Sequence, residues 1–271
     1  MKRLSLLLSL ALISGFATAA VHAQRRTAGF PAGTIVDLSY PFDSSTVYWP
    51  TAETFQLEKD FEGTTEQGYY YSAYRYSAAE HGGTHIDAPV HFAKGRNTVD
   101  EIPLEQLMGP GIIVDVTRSC DKNPDYLITE RDFKNWEQAN GKIAAGTIVL
   151  LRTGFGKLYP DRKRYLGTDQ RGAAAVANLH FPGLHPDAAR WLTQNRKVKA
   201  IGLDTASIDY GQSKLFESHR TLFAKDIPAF ENVANLDKLP TRGFWVIALP
   251  MKIKGGSGGP LRIIAVIADR K

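Results

Sequence analysis

Three histidines and an aspartate fall within eleven residues, in the run His81-Gly-Gly-Thr-His85-Ile-Asp87-Ala-Pro-Val-His91. The whole chain has seven histidines, so the run concentrates imidazole and carboxylate in one place. Together these groups suit a borderline divalent ion such as zinc, manganese or iron better than calcium or magnesium. Gly82, Gly83, Thr84, Ile86 and Pro89 argue against a helix, so this is not the His-Glu-x-x-His helix of zinc proteases. In extended chain, alternate residues share a face, which sets His85 beside Asp87 and gives His81 and His91 the same parity. A straight strand would nonetheless separate the ends of the run by roughly 33 Å. The chain must bend, and the breakers stand where bends are needed, with Gly82 and Gly83 on one side and Pro89 on the other. Sheet-face histidines bonded to their neighbours would account for one imidazole, but not for three beside an aspartate around two breakers.

A scaffold has to hold such a run, and the rest of the chain supplies β-rich stretches at 34–38, 69–76, 111–116, 147–152, 198–203, 244–249 and 261–267. Helical stretches lie between them. Thr129 reads as the N-cap of a helix over 130–139 that stops at Asn140-Gly141. His185 is placed to cap a second, with Pro186 at its first position, and a third spans about 217–224. Strands outnumber helices, and the composition is α/β with mixed sheet order. Tyr70, Tyr74 and Tyr76 share a face by alternation and are expected to pack in the core. Gly255-Gly-Ser-Gly-Gly259 leads into Pro260 and a strand, whereas a phosphate loop leads into a helix. It is expected to be a flexible hairpin connection. Asp204, Ser207 and Asp209 follow an apolar strand in a loop, where site residues concentrate. Structural turn bonding explains them equally well.

The first residues bear on compartment. A basic start at Lys2 and Arg3, an apolar stretch over 4–16 and the small-residue spacing of Val21-His22-Ala23 predict a signal peptide over 1–23. The stretch is shorter than the roughly 20 residues of a spanning helix. Residues 24–271 are read as a single domain, secreted or periplasmic. The net charge of +5 falls by two if Lys2 and Arg3 leave, and the remaining basic residues are scattered among acids. No nucleic-acid stripe and no membrane segment are expected in the mature chain. Cys120 is the only cysteine, which excludes an internal disulfide and thiolate metal sites of the zinc-finger kind. No serine-hydrolase elbow is expected either; an ion held by the run would be able to activate water as a nucleophile toward a small-molecule substrate.

The pattern His-x-Gly-Thr-His-x-Asp-x-Pro-x-His resembles that of the cyclase family of metal-dependent hydrolases, which includes bacterial kynurenine formamidases and isatin hydrolases. Asp37-Leu38-Ser39, Trp49-Pro50, Leu151-Arg152-Thr153-Gly154, Phe181-Pro182-Gly183, the stretch from Gly202 to Asp209, and Phe230-Glu231-Asn232 follow in family order. The resemblance implies a swivelling β/β/α domain, with a mixed central sheet, in dimers or tetramers. It makes His81, His85 and Asp87 metal ligands, with Asp87 able to bridge a second ion. His219 and Glu231, twelve residues apart, would complete that second site, so one or two ions of zinc or manganese are implied. His91 would donate and accept protons, and Trp49 would contact substrate. The activity expected is hydrolytic opening of a small cyclic or aryl amide of the isatin kind. Arylformamidase activity on N-formylkynurenine is the alternative, and a non-catalytic periplasmic metal-binding protein is the alternative of another class.

Overall fold

The β-branched runs become the strands of a mixed sheet in a computed structural model that describes residues 33–268. The expected leader over 1–23 lies outside the described residues. In chain order the strands are β1 (Gly33–Asp37), β2 (Gln56–Thr64), β3 (Tyr70–Ser77), β4 (His85–Asp87), β5 (Met108–Asp115), β6 (Leu127–Ile128), β7 (Ile148–Arg152), β8 (Gly183–Leu184), β9 (Ala200–Leu203), β10 (Ala229–Glu231), β11 (Arg242–Pro250) and β12 (Gly258–Ala268). The helices are α1 (Thr117–Cys120), α2 (Glu130–Asn140), α3 (Arg162–Leu166), α4 (Pro186–Asn195) and α5 (Glu217–Phe223). The eight-stranded sheet runs β1-β12-β11-β5-β7-β9-β10-β4, and β4 also pairs with the start of β12. That second pairing closes the sheet on itself. Strands β5, β7, β9 and β10 are parallel to their neighbours in that series, and the other pairs are antiparallel.

Alternation along the central strands builds two cores. Ile112, Val114, Val149, Leu151, Ile201 and Leu203 face one way, where they pack with Phe133 of α2, Leu192 of α4 and Phe223 of α5. Ile113, Ile148, Leu150 and Ala200 face the other way, against Val246, Ile263, Ile86 and Phe230. The period of two thus decides where the site can form. Ile86 and Phe230 are committed to the second core, so His85, Asp87 and Glu231 emerge on the helix side.

The expected helices form with the expected ends. The Asp132 carboxylate accepts the Thr129 backbone N–H at 2.7 Å, and α2 stops at Gly141 with φ of 87°. His185 Nδ1 accepts the Asp187 backbone N–H at 3.0 Å, so this imidazole caps α4. No helix among the described residues is long and apolar enough to cross a membrane. The tyrosines depart from expectation. β3 pairs only with β2, in a separate two-stranded ribbon, and Tyr70, Tyr74 and Tyr76 are 66, 44 and 50 % exposed instead of buried. Phe55 stacks on Tyr76 and Met251 meets its hydroxyl, but the described residues leave most of this tyrosine surface open. β2 was not foreseen, because its charged residues hide the pattern; cross-strand pairs such as Arg75 with Glu58, at 2.9 Å, hold it to β3.

Candidate metal centre

β4 and β10 lie antiparallel, with His85 opposite Glu231 and Asp87 opposite Ala229. Gly83 takes φ of 56°, a region open to glycine, and the Tyr48 ring occupies the space a Cβ on Gly82 would need. The chain therefore turns sharply and returns His81 to the end of β4. Pro89 then opens a short 3-10 turn, Pro89–His91. This swings His91 onto His81, with ring centroids 3.8 Å apart and planes 20° from parallel. α5 packs from the helix side and contributes His219.

The inner atoms converge. His81 Nδ1 is 2.7 Å from Asp87 Oδ1, and His85 Nε2 is 3.1 Å from the same oxygen and 3.4 Å from Glu231 Oε2. His219 Nε2 lies 3.2 Å from Asp87 Oδ2 and 3.1 Å from Glu231 Oε1. The potential ligand atoms of His81, His85 and Asp87 all lie within 4.8 Å of one another, as do those of Asp87, His219 and Glu231. Asp87 belongs to both triplets.

The outer nitrogens show how the site is charged. His85 Nδ1 is 2.9 Å from the Gly83 carbonyl, and His219 Nδ1 is 2.5 Å from Asp209 Oδ2. A carbonyl or carboxylate only accepts, so each of these nitrogens carries the proton. When the rings are neutral, as metal ligands must be, their inner nitrogens point a lone pair at carboxylates that also only accept. Either protons on these inner nitrogens or a cation between the members balances such a cluster, and His85 Nε2, buried with no aligned hydrogen-bond partner, is the atom a bound ion would satisfy. The donor set fits a borderline divalent metal.

Without an ion, the carboxylates favour protons on the buried imidazoles. Burial pushes the Asp87 carboxyl up, but His81, His219 and His85 outweigh it and hold the group well below the usual range. Glu231 is raised by burial and by the Asp87 charge. Burial pulls His219 and His85 down, yet surrounding carboxylates leave both above the ordinary imidazole value. His91 behaves differently: burial dominates and pushes it down to about 4, so it is neutral near pH 7.

A cavity of about 290 Å³ opens over the cluster, and Trp49, Phe92 and Phe216 form part of its wall. Among the described residues, no lysine or arginine lines it. The structure thus brings His81, His85, Asp87, His91, His219, Glu231 and Trp49 to one place. His180 stays apart, 2.8 Å from Asp125 near the surface. Asp209 proves to be the carboxylate that orients His219, also accepting its backbone N–H at 3.1 Å. Phe92 and Phe216 carried no sequence signal. Residues 255–259 spell Gly-x-Ser-x-Gly, the sequence pattern of a serine-hydrolase elbow. The pattern lacks the strand-turn-helix context of a nucleophile elbow, since it leads from β11 into β12.

Metal removal is expected to destabilise the fold. A ligand present at a hundredfold excess over its Kd contributes about 2.7 kcal/mol, or roughly 5–10 °C in Tm for a domain of this size. Scanning calorimetry before and after chelation, then with Mn(II) or Zn(II) restored, measures this. An unchanged Tm throughout would count against a bound ion.

The model of a family described as "Putative cyclase" matches residues 36–210. An isatin hydrolase of Roseibium aggregatum is 30 % identical over 267 residues, covering 91 % of this chain and 99 % of that one. A kynurenine formamidase of Bacillus cereus is 28 % identical over 236 residues, covering 84 % and 95 %. Among solved structures, isatin hydrolase A from Ralstonia solanacearum superposes with a TM-score of 0.78 at 31 % identity, over 86 % of this chain and 92 % of that one.

Proposed function

This chain belongs to the cyclase family, and on that premise we propose that it is a metal-dependent hydrolase that opens a small cyclic amide of the isatin kind. The observation that carries the metal chemistry is the convergence of inward imidazole nitrogens on Asp87 and Glu231, with His85 Nε2 buried and left without an aligned hydrogen-bond partner. His81, His85 and Asp87 would hold one zinc or manganese ion, and His219 and Glu231 would hold a second through Asp87. When bound, the ion supplies Lewis-acid polarisation of the amide carbonyl and makes water a nucleophile near neutral pH. His91, neutral and beside the cluster, takes the proton of the attacking water. It returns that proton to the leaving nitrogen as the ring C–N bond breaks, so the single ring-opened product carries both a carboxylate and an amine. Trp49, Phe92 and Phe216 offer flat apolar faces to an aryl ring. A neutral general base beside an apolar cavity favours turnover over a storage role.

The cavity wall supports the choice of substrate. N-formylkynurenine carries an amino-acid carboxylate, which calls for a cationic partner, and among the described residues no lysine or arginine lines the cavity. Isatin is uncharged and needs none. Arylformamidase action remains the second reading, because the kynurenine formamidase relatives share the chemistry of an aryl amide. The metal-loaded protein should show at least about tenfold higher kcat/KM for isatin than for N-formylkynurenine, a difference of about 1.4 kcal/mol. The reverse order would transfer the assignment to the formamidase, and turnover of neither would remove the proposal. Trp49→Ala should raise KM for isatin about tenfold with a smaller effect on kcat, as expected when mainly ground-state binding area is lost.

The reading includes assembly as a homodimer or homotetramer. It is supported by the ribbon of β2 and β3, which exposes Leu57, Phe61 and four tyrosines although isolated two-stranded ribbons are marginal in water. Light scattering tests it.

A further inference from the structure

The glycine-rich stretch at 255–259 is closely fitted to the cluster. Gly258 pairs with Asp87 in the ladder between β12 and β4. A Cβ on Gly258 would come within 2.6 Å of the His81 ring, and one on Gly256 within 2.7 Å of Glu80 Oε1. The glycines permit close approach at both positions. Ser257 stands between them. Its Oγ is 2.9 Å from His81 Nε2 and donates to Glu80 Oε2 at 2.6 Å, while its backbone N–H donates to the same oxygen at 3.1 Å.

We propose that Ser257 and Glu80 are positioning residues for the metal centre: His81 Nε2–H donates to Ser257 Oγ, Ser257 donates to Glu80, and His81 Nδ1 is left with its lone pair toward the ion. The proposal rests on the reading of His81 as a ligand. It gives His81 the outward acceptor that Gly83 gives His85 and Asp209 gives His219, so every imidazole of the centre has its tautomer set in the same way. The same atoms form another series, Ser257 Oγ, His81 and Asp87, in the order of a serine nucleophile, base and acid. Two observations favour positioning. The single hydroxyl proton is drawn to the Glu80 carboxylate, which lies closer than His81 and only accepts. Ser257 is also absent from the cavity wall where a substrate would lie.

The test is calorimetric titration of the purified, metal-stripped chain with Mn(II) alone, with its metal-free Tm measured alongside. Ser257→Ala should keep that Tm and weaken the Kd by about 10- to 100-fold, the usual effect of losing such a partner. Ser257→Thr keeps a hydroxyl and should stay within about threefold of the parent. Glu80→Ala should also weaken binding, and the double variant should be no weaker than Ser257→Ala, because Glu80 acts through the hydroxyl. A parental Kd in Ser257→Ala overturns the proposal. If that variant also loses turnover and a phosphonofluoridate inactivates the parent, the hydroxyl is a nucleophile. A threonine variant as weak as the alanine one, or additive losses in the double variant, overturns it too. Asp87→Ala separates the two levels. Should it bind Mn(II) like the parent, the metal reading itself has failed, whereas loss there with parental binding in Ser257→Ala removes only the positioning role.

Discussion

Asp87→Ala should abolish stoichiometric metal and reduce hydrolysis to background. Asp87 is the one side chain common to both ligand triplets, with Oδ1 against His81 and His85 and Oδ2 against His219. No other carboxylate can take its place, because Glu231 approaches from the neighbouring strand and already faces His85 and His219. Its removal leaves imidazoles whose inward nitrogens were organised around one negative charge. Lewis-acid assistance is worth several kcal/mol, so kcat/KM should fall by at least about 1,000-fold. Asp87→Asn, which keeps the shape and removes the charge, should behave alike and excludes a packing defect as the cause. Elemental analysis after dialysis, on the preparation used for kinetics, is the measurement. Full metal occupancy in either variant would contradict the assignment. Glu231→Ala resolves the number of ions, since it disturbs the second triplet more than the first: two ions predict a fall to one, and one ion predicts little change.

Much of this centre was legible because its geometry is local. Between His81 and His91 the breakers dictate the bend, and the structure bends at Gly83 and again from Pro89. His219 and Glu231 are another matter. No spacing rule joins them to Asp87; the β4 and β10 register and the packing of α5 do, and both strands have three residues, too few for a periodic signal. Only the resemblance pointed to them. Asp209 could be placed in a functional loop, but its partner lies ten residues on, in a helix whose orientation is tertiary. The 255–259 stretch was read for flexibility because glycine carries two meanings, freedom of the chain and closeness of a neighbour. Ser257 shows the second, which only the position of Glu80 and His81 reveals. The tyrosines failed for a related reason. Alternation reports that a face is shared, and burial depends on what the rest of the molecule places over it.

His91→Ala should separate catalysis from metal binding. His91 lies in the run of ligands, yet it belongs to neither triplet. The turn at Pro89 lifts it out of the line of β4 and lays its ring flat on His81, at the wall of the cavity instead of inside the carboxylate cluster. Burial pushes its imidazole to about 4, so at neutral pH it holds a free lone pair, as a proton acceptor must. Replacing it should leave metal stoichiometry near the parental value, because all five groups of the two triplets stay in place. Turnover should drop by about 100- to 10,000-fold, the contribution of a positioned acid-base group. KM should move less, since Trp49, Phe92 and Phe216 still supply the apolar wall. His91→Asn, which keeps polarity without basicity, should be as impaired as the alanine variant. The kinetics have to be followed across a metal titration, because a ligand and a proton shuttle respond differently. Loss of a ligand lowers occupancy and activity together, and excess ion restores both in part. Loss of a shuttle leaves a fully loaded, slow enzyme at every metal concentration. Recovery of His91→Ala by added Mn(II) or Zn(II) would place His91 among the ligands and leave proton transfer to another group.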